Sequence, residues 1–511
     1  MSKLDTFIET INQGYQFKGD HLLLGGAMLD GETQTGTFVK IPLKTLNRHG
    51  LIAGATGSGK TKTLQILAEQ LSKKGVPSLL MDMKGDLSGI AVPSAGHPKI
   101  DERHAAIGFE FEAGGSPVEF LTLSDEKGAR LRATVSEFGP VLFSKILALN
   151  DTQSGIVAVV FKYCDDNNLP LLDLSDFKKT LQYMVNEGKA EVQELYGRMS
   201  TASTGSIMRK IVELEQQGAE VFFGERSFDV NDLCRQDELG RGIVSIIRLT
   251  DIQDRPKLFS TFMLQILAEI YATFPEAGDS DKPKLVLFID EAHLVFDKAS
   301  DALLDQIEAI VKLIRSKGVG IFFVTQNPSD IPDDVLGQLG LKVQHALRAF
   351  TAKDRKAIKL AAQNYPITDF YDVDQLLTEL GIGEALVTAL NEKGIPTPLV
   401  HTMLRAPESR MDVLTQKEID DIVDYSPLVK KYNQVLDRDS AEEILNEKIE
   451  AAHEDERQAE LKAQRAKASK SRRKEKSTFE KVMSNTTTRQ IGRTLARELV
   501  RGLMGILGGK R

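Results

Sequence analysis

The chain of 511 residues has only two cysteines, Cys164 and Cys234, and they do not stand at a metal-ligand spacing. This scarcity excludes a disulfide-stabilised scaffold and a cysteine zinc site. No stretch reaches the roughly 18 consecutive apolar residues that a membrane helix needs, and the amino-terminal stretch has no apolar signal core. These absences predict a cytoplasmic protein without a transmembrane segment. The composition, 41% hydrophobic and 27% charged, is typical of a globular protein.

Charge is unevenly distributed along the chain, whose net charge is -8. Residues 462–511 contain 15 Lys or Arg and three Glu, which gives this segment a charge of +12 and leaves -20 for the rest. We therefore expect polyanions such as nucleic acid to be drawn to the tail and to local patches, not to the whole surface.

A glycine-rich loop between a predicted strand and a predicted helix is the most informative feature. Residues 49–53 are apolar and strand-like, and residues 60–73 carry apolar side chains at helical spacing. The loop between them satisfies G-x-x-x-x-G-K-[ST], the phosphate-binding motif of P-loop NTPases. We expect Lys60 to reach the β and γ phosphates of ATP and Thr61 to bind Mg²⁺. The predicted cofactor-binding residues of the loop are Gly54, Ala55, Thr56, Gly57, Ser58, Gly59, Lys60 and Thr61.

An acidic pair at the end of a second apolar strand supplies the other half of such a site. Residues 285–289 are apolar and lead into Asp290 and Glu291. Asp290 is predicted to orient Mg²⁺, and Glu291 to polarise the attacking water as general base. This pair indicates hydrolysis and not nucleotide binding alone. The alternative is a strand that ends in a solvated acidic turn.

Two further residues are candidates for contacts to the transition state. Gln326 follows the next predicted strand, where it could touch the γ-phosphate or the lytic water, although a polar strand end is also ordinary. Arg315 ends a helix before that strand and is a candidate arginine finger for a neighbouring subunit. The alternative for Arg315 is a surface charge that complements the helix dipole. Arg348 and Arg355 are weaker candidates for the finger.

Repeated strand–helix alternation predicts an α/β fold with a mainly parallel sheet, a helical insertion and a carboxyl-terminal helical tail. The predicted segments are a small β-rich segment at 1–47, an ATPase core at 48–86 and 241–405, a mainly helical insertion at 87–240, a helical extension at 406–461, a basic linker at 462–488 and an amphipathic helix at 489–511.

The motifs resemble those of the HerA and FtsK group of hexameric ATPases with a RecA-like P-loop NTPase core, and most closely its bacterial HerA-like branch. The resemblance covers roughly residues 20–405. It is carried by Arg48-His49-Gly50 before the phosphate loop, by Asp82-Met83-Lys84-Gly85-Asp86 after the second strand, by residues 288–293 (FIDEAH), and by Arg315 followed by residues 322–332 (FFVTQNPSDIP).

The resemblance implies a homohexameric ring with ATP and Mg²⁺ at the subunit boundaries and double-stranded DNA in the central pore. It implies that Arg315 is a finger acting in trans and that Arg48 lies near the nucleotide. A nuclease or another protein is an implied partner. Two other functions stay open: an ATPase of the same fold that acts on protein in secretion or assembly, and a nucleotide-gated scaffold.

The basic tail allows two interpretations. Arg489, Arg493, Arg497 and Arg501 recur every four positions and therefore line one face of a predicted helix. That face could contact DNA, an anionic membrane surface or a partner protein. Alternatively, the helix packs on the core or on a neighbouring subunit and its arginines are solvated.

Overall fold

The computed structural model describes residues 2–473, except residues 279, 297–300, 350, 435 and 437–438. The chain divides into two compact units, Met1–Leu445 and Asn446–Arg511. In the described part of the chain, no helix is long and apolar enough to cross a membrane. The predicted amphipathic helix at 489–511, with its arginines, lies outside the described residues.

One sheet of twelve strands organises the described part of the first unit. The strands are β1 (His21–Leu29), β2 (Glu32–Pro42), β3 (Gly50–Ala53), β4 (Ser78–Asp82), β5 (Val118–Thr122), β6 (Ala129–Arg130), β7 (Val244–Arg248), β8 (Leu285–Ile289), β9 (Val319–Thr325), β10 (Leu341–Gln344), β11 (Glu384–Thr388) and β12 (Val400–Leu404). Their order is β2-β1-β12-β11-β10-β3-β9-β8-β4-β7-β5-β6. Every pair from β10 to β6 is parallel, and the pairs from β2 to β10 are antiparallel.

Helices connect the parallel strands, which confirms the predicted α/β fold. The helices are α1 (Lys3–Gly14), α2 (Lys60–Lys73), α3 (Pro98–Ile107), α4 (Val135–Ile146), α5 (Asp151–Asn167), α6 (Leu174–Val185), α7 (Lys189–Leu195), α8 (Thr201–Glu215), α9 (Pro256–Thr273), α10 (His293–Phe296), α11 (Asp301–Ile314), α12 (Asp333–Leu336), α13 (Ala352–Gln363), α14 (Val373–Glu379), α15 (Gln416–Tyr425), α16 (Pro427–Tyr432) and α17 (Ala441–Arg473).

The central strands are buried along their whole length. Every residue of β3, β4, β8 and β9 is buried, and in α2 every residue from Thr63 to Ser72 is buried as well. A parallel strand covered on both faces has apolar side chains on both, so these sequences are continuous apolar runs without alternation. The core therefore holds the strand ends firmly, and those ends carry the predicted site.

Two of the predicted segments contribute strands to this same sheet. In the segment 1–47, β1 pairs with β12, with Gly26 opposite Met403. In the insertion 87–240, which is otherwise mainly helical, β5 pairs with β7. At the carboxyl-terminal end, α17 continues to Arg473, so the range predicted as a linker begins within a helix.

A buried polar network joins α2 to the segment after β12. The carboxylate of Glu69 accepts hydrogen bonds from the backbone N–H of Glu408 at 2.8 Å and of Ser409 at 3.2 Å, and from the Ser409 hydroxyl at 2.8 Å. Arg405 forms an ion pair with Glu408 at 2.7 Å. Burial raises the pKa of Glu69 to about 7. These bonds hold the helix after the phosphate loop in place.

Replacing Glu69 tests this network. We expect Glu69→Ala to lower the free energy of unfolding by about 2–6 kcal/mol, because two buried N–H groups lose their acceptor at about 1–3 kcal/mol each. Urea unfolding measures the change. The matched control is Glu102→Ala, at an exposed position of α3, which we expect to stay within about 0.5 kcal/mol of the parent. Equal unfolding free energies for the two variants would show that the network adds no stability.

Candidate functional site

The glycines of the phosphate loop adopt a backbone that other residues avoid. Gly54, Gly57 and Gly59 have φ angles of 152°, 78° and 117°, a region in which a Cβ atom is disfavoured. A Cβ on Gly54 would also lie 2.5 Å from the Cβ of His345. Helix α2 begins directly after Gly59, so the positive end of its dipole adjoins the loop. The loop is thus shaped to bind an anion.

Backbone hydrogen bonds fix the loop to two neighbouring strands. The N–H of Gly54 donates to the carbonyl oxygen of Thr325 at 3.2 Å, and the N–H of Ala55 donates to that of Ala346 at 2.8 Å. Thr325 is the last residue of β9, and Ala346 lies two positions after the end of β10. The position of the loop is therefore set by the register of β3 with its two neighbours.

Lys60 and Thr61 begin helix α2 at the loop. The Lys60 ammonium donates to the carbonyl oxygens of Gly54 at 2.7 Å and Ala55 at 3.2 Å. Burial, and then the positive charge of Lys84, lowers the pKa of Lys60. Thr61 is half-buried in the first helical turn. The structure brings the predicted phosphate-binding residues together in one loop.

The acidic pair lies at the carboxyl end of β8, and both side chains are buried. Burial and then the charge of Glu291 raise the pKa of Asp290 to about 7. Among the described residues, the Oδ2 atom of Asp290 has no hydrogen-bond partner although it is buried. A carboxylate oxygen without a partner and a threonine hydroxyl are both hard oxygen ligands, which Mg²⁺ prefers. The donor set of Asp290 and Thr61 therefore fits Mg²⁺ or the water bound to it.

Glu291 lies between two basic side chains that the sequence motifs contained but to which no role was assigned. Its backbone is left-handed, with φ of 48°. Its carboxylate forms an ion pair with Lys84 and lies 3.3 Å from Nδ1 of His293. Burial opposes the charged form of Lys84, but the hydrogen bond and charge of Glu291 outweigh it and raise the pKa of Lys84. Both residues therefore restrain the carboxylate of the predicted base.

Asp82 holds the loop that carries Lys84. Its buried carboxylate accepts hydrogen bonds from the backbone N–H of Gly85 at 2.7 Å, Asp86 at 3.1 Å and Leu87 at 3.2 Å. Burial is the main cause that raises the pKa of Asp82 to about 6. Because Asp82 accepts three backbone hydrogen bonds from this loop, it fixes the conformation of the loop. It influences the site only through the loop.

Gln326 lies at the same sheet edge as the phosphate loop. It is exposed and directly follows Thr325, the acceptor for the Gly54 N–H. Asp330 fixes the turn here, because it accepts hydrogen bonds from the Thr325 hydroxyl and from the Asn327 N–H. Since β3, β9, β8 and β4 are consecutive in the sheet, their carboxyl ends form one edge. A nucleotide in a doubly wound sheet binds at such an edge.

Arg48 and Arg315 lie at the opposite edge. Arg48 precedes β3 and Arg315 precedes β9, so both stand at the amino ends of these strands. Burial and then the positive charge of Arg48 lower the pKa of Arg315. The structure therefore does not bring Arg48 to the phosphate loop of its own chain, because the four residues of β3 separate them.

His49 connects the elements that carry these arginines. Its Nε2 lies 2.9 Å from the carbonyl oxygen of Val311 in α11, and the Ile321 N–H donates to its Nδ1 at 3.0 Å. Burial is the main cause that lowers the pKa of His49 to about 4, so the ring is neutral at neutral pH. The bonds hold the start of β3 against β9 and α11.

Comparison with known proteins finds one protein family along nearly the whole chain. A family model described as helicase HerA-like C-terminal matches residues 27–511. The DNA double-strand break repair helicase HerA of Sulfolobus acidocaldarius is 23% identical over 379 residues, which cover 70% of this chain and 66% of the relative. The protein of the same name from Saccharolobus solfataricus is 23% identical over 373 residues, with 70% and 66% covered. The chain thus spans 66% of the length of these curated relatives.

A solved structure has a related fold. The bacterial conjugative coupling protein TrwB matches with a TM-score of 0.50 and 13% identity, covering 80% of this chain and 94% of that chain. At this level of identity the likeness concerns the fold alone. It agrees with the α/β, RecA-like fold expected from the sequence.

Proposed function

The chain belongs to the helicase HerA-like C-terminal family, and we propose that it is an ATP-hydrolysing ring motor that translocates double-stranded DNA. One observation carries the proposal. The phosphate loop, the acidic pair and Gln326 share one sheet edge, while Arg48 and Arg315 lie at the other. The chain thus presents the two complementary halves of an ATPase site on opposite sides.

The carboxyl edge supplies the groups that hydrolysis requires. Lys60 and the N–H groups of the loop bind the β and γ phosphates. Thr61 and Asp290 would hold Mg²⁺, which neutralises phosphate charge when bound. Glu291 takes the proton from the attacking water as the water oxygen bonds to the γ-phosphorus, and the bond from that phosphorus to the oxygen bridging to the β-phosphate breaks, so that ADP leaves. In this proposal, Gln326 contacts the γ-phosphate or that water, which its place directly after β9 supports.

The two arginines at the amino ends of β3 and β9 support assembly from several copies of the chain. A finger at Arg315, with Arg48 at the same edge, can reach a phosphate loop only on another copy. Contacts of this head-to-tail kind generate a ring when the rotation closes, and the family resemblance implies six subunits. Leu313 and Ile395 near these arginines are 51% and 56% exposed. Exposed apolar side chains around the arginines favour a protein contact at this edge.

Double-stranded DNA is the proposed substrate because the curated relatives are named as DNA double-strand break repair helicases. The charge of -20 on residues 1–461 favours the second candidate, an ATPase of the same fold that acts on protein. A DNA motor with this charge must contact DNA through local basic surfaces. The response of ATP turnover to DNA separates the two.

Two substitutions separate ATP binding from hydrolysis. We expect Lys60→Ala to weaken ATP binding and abolish turnover, because the phosphates lose their ammonium contact. We expect Glu291→Gln to bind ATP normally but to lower turnover about 100-fold or more, because the amide cannot accept the proton. Equilibrium binding of fluorescent ATP and phosphate release measure the two effects. Normal hydrolysis by Glu291→Gln would show that another group is the base.

Mixing two inactive variants tests the finger in trans. We expect Arg315→Ala to bind ATP and to lose about 1,000-fold or more in turnover, because transition-state charge is no longer neutralised. In mixed rings, Lys60→Ala subunits supply an intact Arg315 to the intact loops of Arg315→Ala subunits, and part of the activity returns. In the control mixture, the Lys60→Ala subunits are replaced by the double variant Lys60→Ala/Arg315→Ala, which supplies no finger. Equal activity in the two mixtures, at concentrations that give rings, contradicts a finger in trans.

Stimulation by DNA tests the substrate. We expect linear double-stranded DNA to raise the steady-state turnover of the full chain, and we expect the gain to fall steeply with salt because phosphate contacts release counterions. Glu291→Gln is the control for contaminating ATPases. Basal turnover that does not respond to DNA at any salt concentration would favour the protein-directed ATPase.

A further inference from the structure

A cavity with a cationic lining lies beside the phosphate loop and has no part in the proposed ATP site. Its volume is about 830 Å³, and it is formed by α13, α14 and the segment after β10. Arg348, Arg355, Lys356 and Lys359 line it together with a single carboxylate, that of Asp374.

The cations of this cavity are not neutralised within the described part of the chain. Arg355, Lys356 and Lys359 are exposed, and none of them has an ion-pair partner in the part of the chain that the structure describes. Arg348 donates to the carbonyl oxygen of Thr378, at 3.2 Å. Three cations on two adjacent turns of α13 repel one another at their present spacing, so an anionic ligand relieves an unfavourable interaction.

Several other surface lysines of the described residues are neutralised by a carboxylate. Lys3 pairs with Asp30 at 2.9 Å, and Lys74 pairs with Asp20 at 3.1 Å. Residues 1–461 carry a net charge of -20, so the surface as a whole repels a polyanion. A cluster of unpaired cations on such a background is a local site for negative charge.

We propose that this cavity is a contact surface for the phosphate backbone of DNA. The inference rests on the proposed function and names where the chain touches its substrate. Exposed Arg and Lys side chains that are free of carboxylate partners are the groups that bind backbone phosphates, and such contacts do not require base recognition. A translocating motor needs contacts of this sequence-independent kind.

The cavity is also connected to the ATP site. The Ala55 N–H of the phosphate loop donates to the carbonyl oxygen of Ala346, and the next two residues, Leu347 and Arg348, line the cavity. Leu347 is itself fixed, because its N–H donates to the carbonyl oxygen of Leu377 in α14 at 2.8 Å. A ligand that shifts this segment therefore acts directly on the loop that binds ATP.

The test removes the charge of α13. The variant Arg355→Gln/Lys356→Gln/Lys359→Gln and the parent chain are titrated with a short fluorescent DNA duplex over a salt series. We expect the variant to bind about 10- to 100-fold more weakly at moderate salt. A plot of the logarithm of the association constant against the logarithm of the salt concentration should become less steep by roughly 2–3, because each phosphate contact contributes about 0.9 to the slope.

A charge-matched control excludes a general effect of net charge. Lys179→Gln/Lys189→Gln/Arg198→Gln removes three positive charges from the helical insertion, where these side chains also have no ion-pair partner among the described residues. We expect this variant to bind DNA like the parent. A second variant that keeps the charge, Arg355→Lys, should bind nearly as well as the parent.

Each outcome decides one question. If the parent chain binds the duplex but the α13 variant binds equally well, or the control variant loses as much affinity, the cavity is not the contact surface. If the parent chain hydrolyses ATP but binds no duplex at any salt concentration, the proposed DNA motor itself fails, whatever the variants do.

Discussion

The backbone hydrogen bond from Ala55 to Ala346, together with that from Gly54 to Thr325, is the contact on which the site depends. These bonds seat the phosphate loop between the ends of β9 and β10. Thr325 is the last residue of the buried strand β9, and Ala346 lies two positions after the end of β10. The loop therefore cannot move without disturbing the ends of these paired strands. Because β8 lies next to β9, the register of the sheet brings Asp290 and Glu291 towards the loop.

A second constraint comes from the direction of the strands. In a parallel sheet, the residues before each strand lie at one edge and the residues after it lie at the other, so the chain cannot bring Arg48 or Arg315 to its own phosphate loop. His49 holds both arginine-bearing segments against each other through neutral hydrogen bonds that do not depend on pH near neutrality. The segments that carry the two arginines are therefore fixed relative to each other. In the proposed ring, hydrolysis depends on assembly because each site needs groups from two subunits.

The sequence allowed accurate prediction of features that depend on neighbouring residues. The strand–loop–helix around Lys60 is local, and apolar runs that end in charged residues mark buried strands with functional ends. Contacts between distant residues could not be predicted in this way. Glu69 and Glu408 are 339 positions apart, and Lys84 meets Glu291 only because β4 pairs with β8.

The position of Arg48 shows why nearness in sequence is a poor guide to nearness in space. Arg48 is six residues from Gly54 in the sequence, yet those residues include a strand, and an extended chain advances about 3.3 Å per residue. The β-rich segment at 1–47 was predicted as a separate segment because its sequence predicts strands but does not identify β12 as the partner of β1.

The segment from Ala346 to Arg348 gives the proposed motor a physical route between its two ligands. Ala346 accepts a hydrogen bond from the phosphate loop, and Arg348 lines the cationic cavity. If DNA in the cavity changes the geometry of the loop, linkage requires that ATP in the loop changes the affinity for DNA by the same factor. A translocating motor needs to alternate between strong and weak binding of DNA. The connection spans only three residues, so it requires no large rearrangement of the buried sheet.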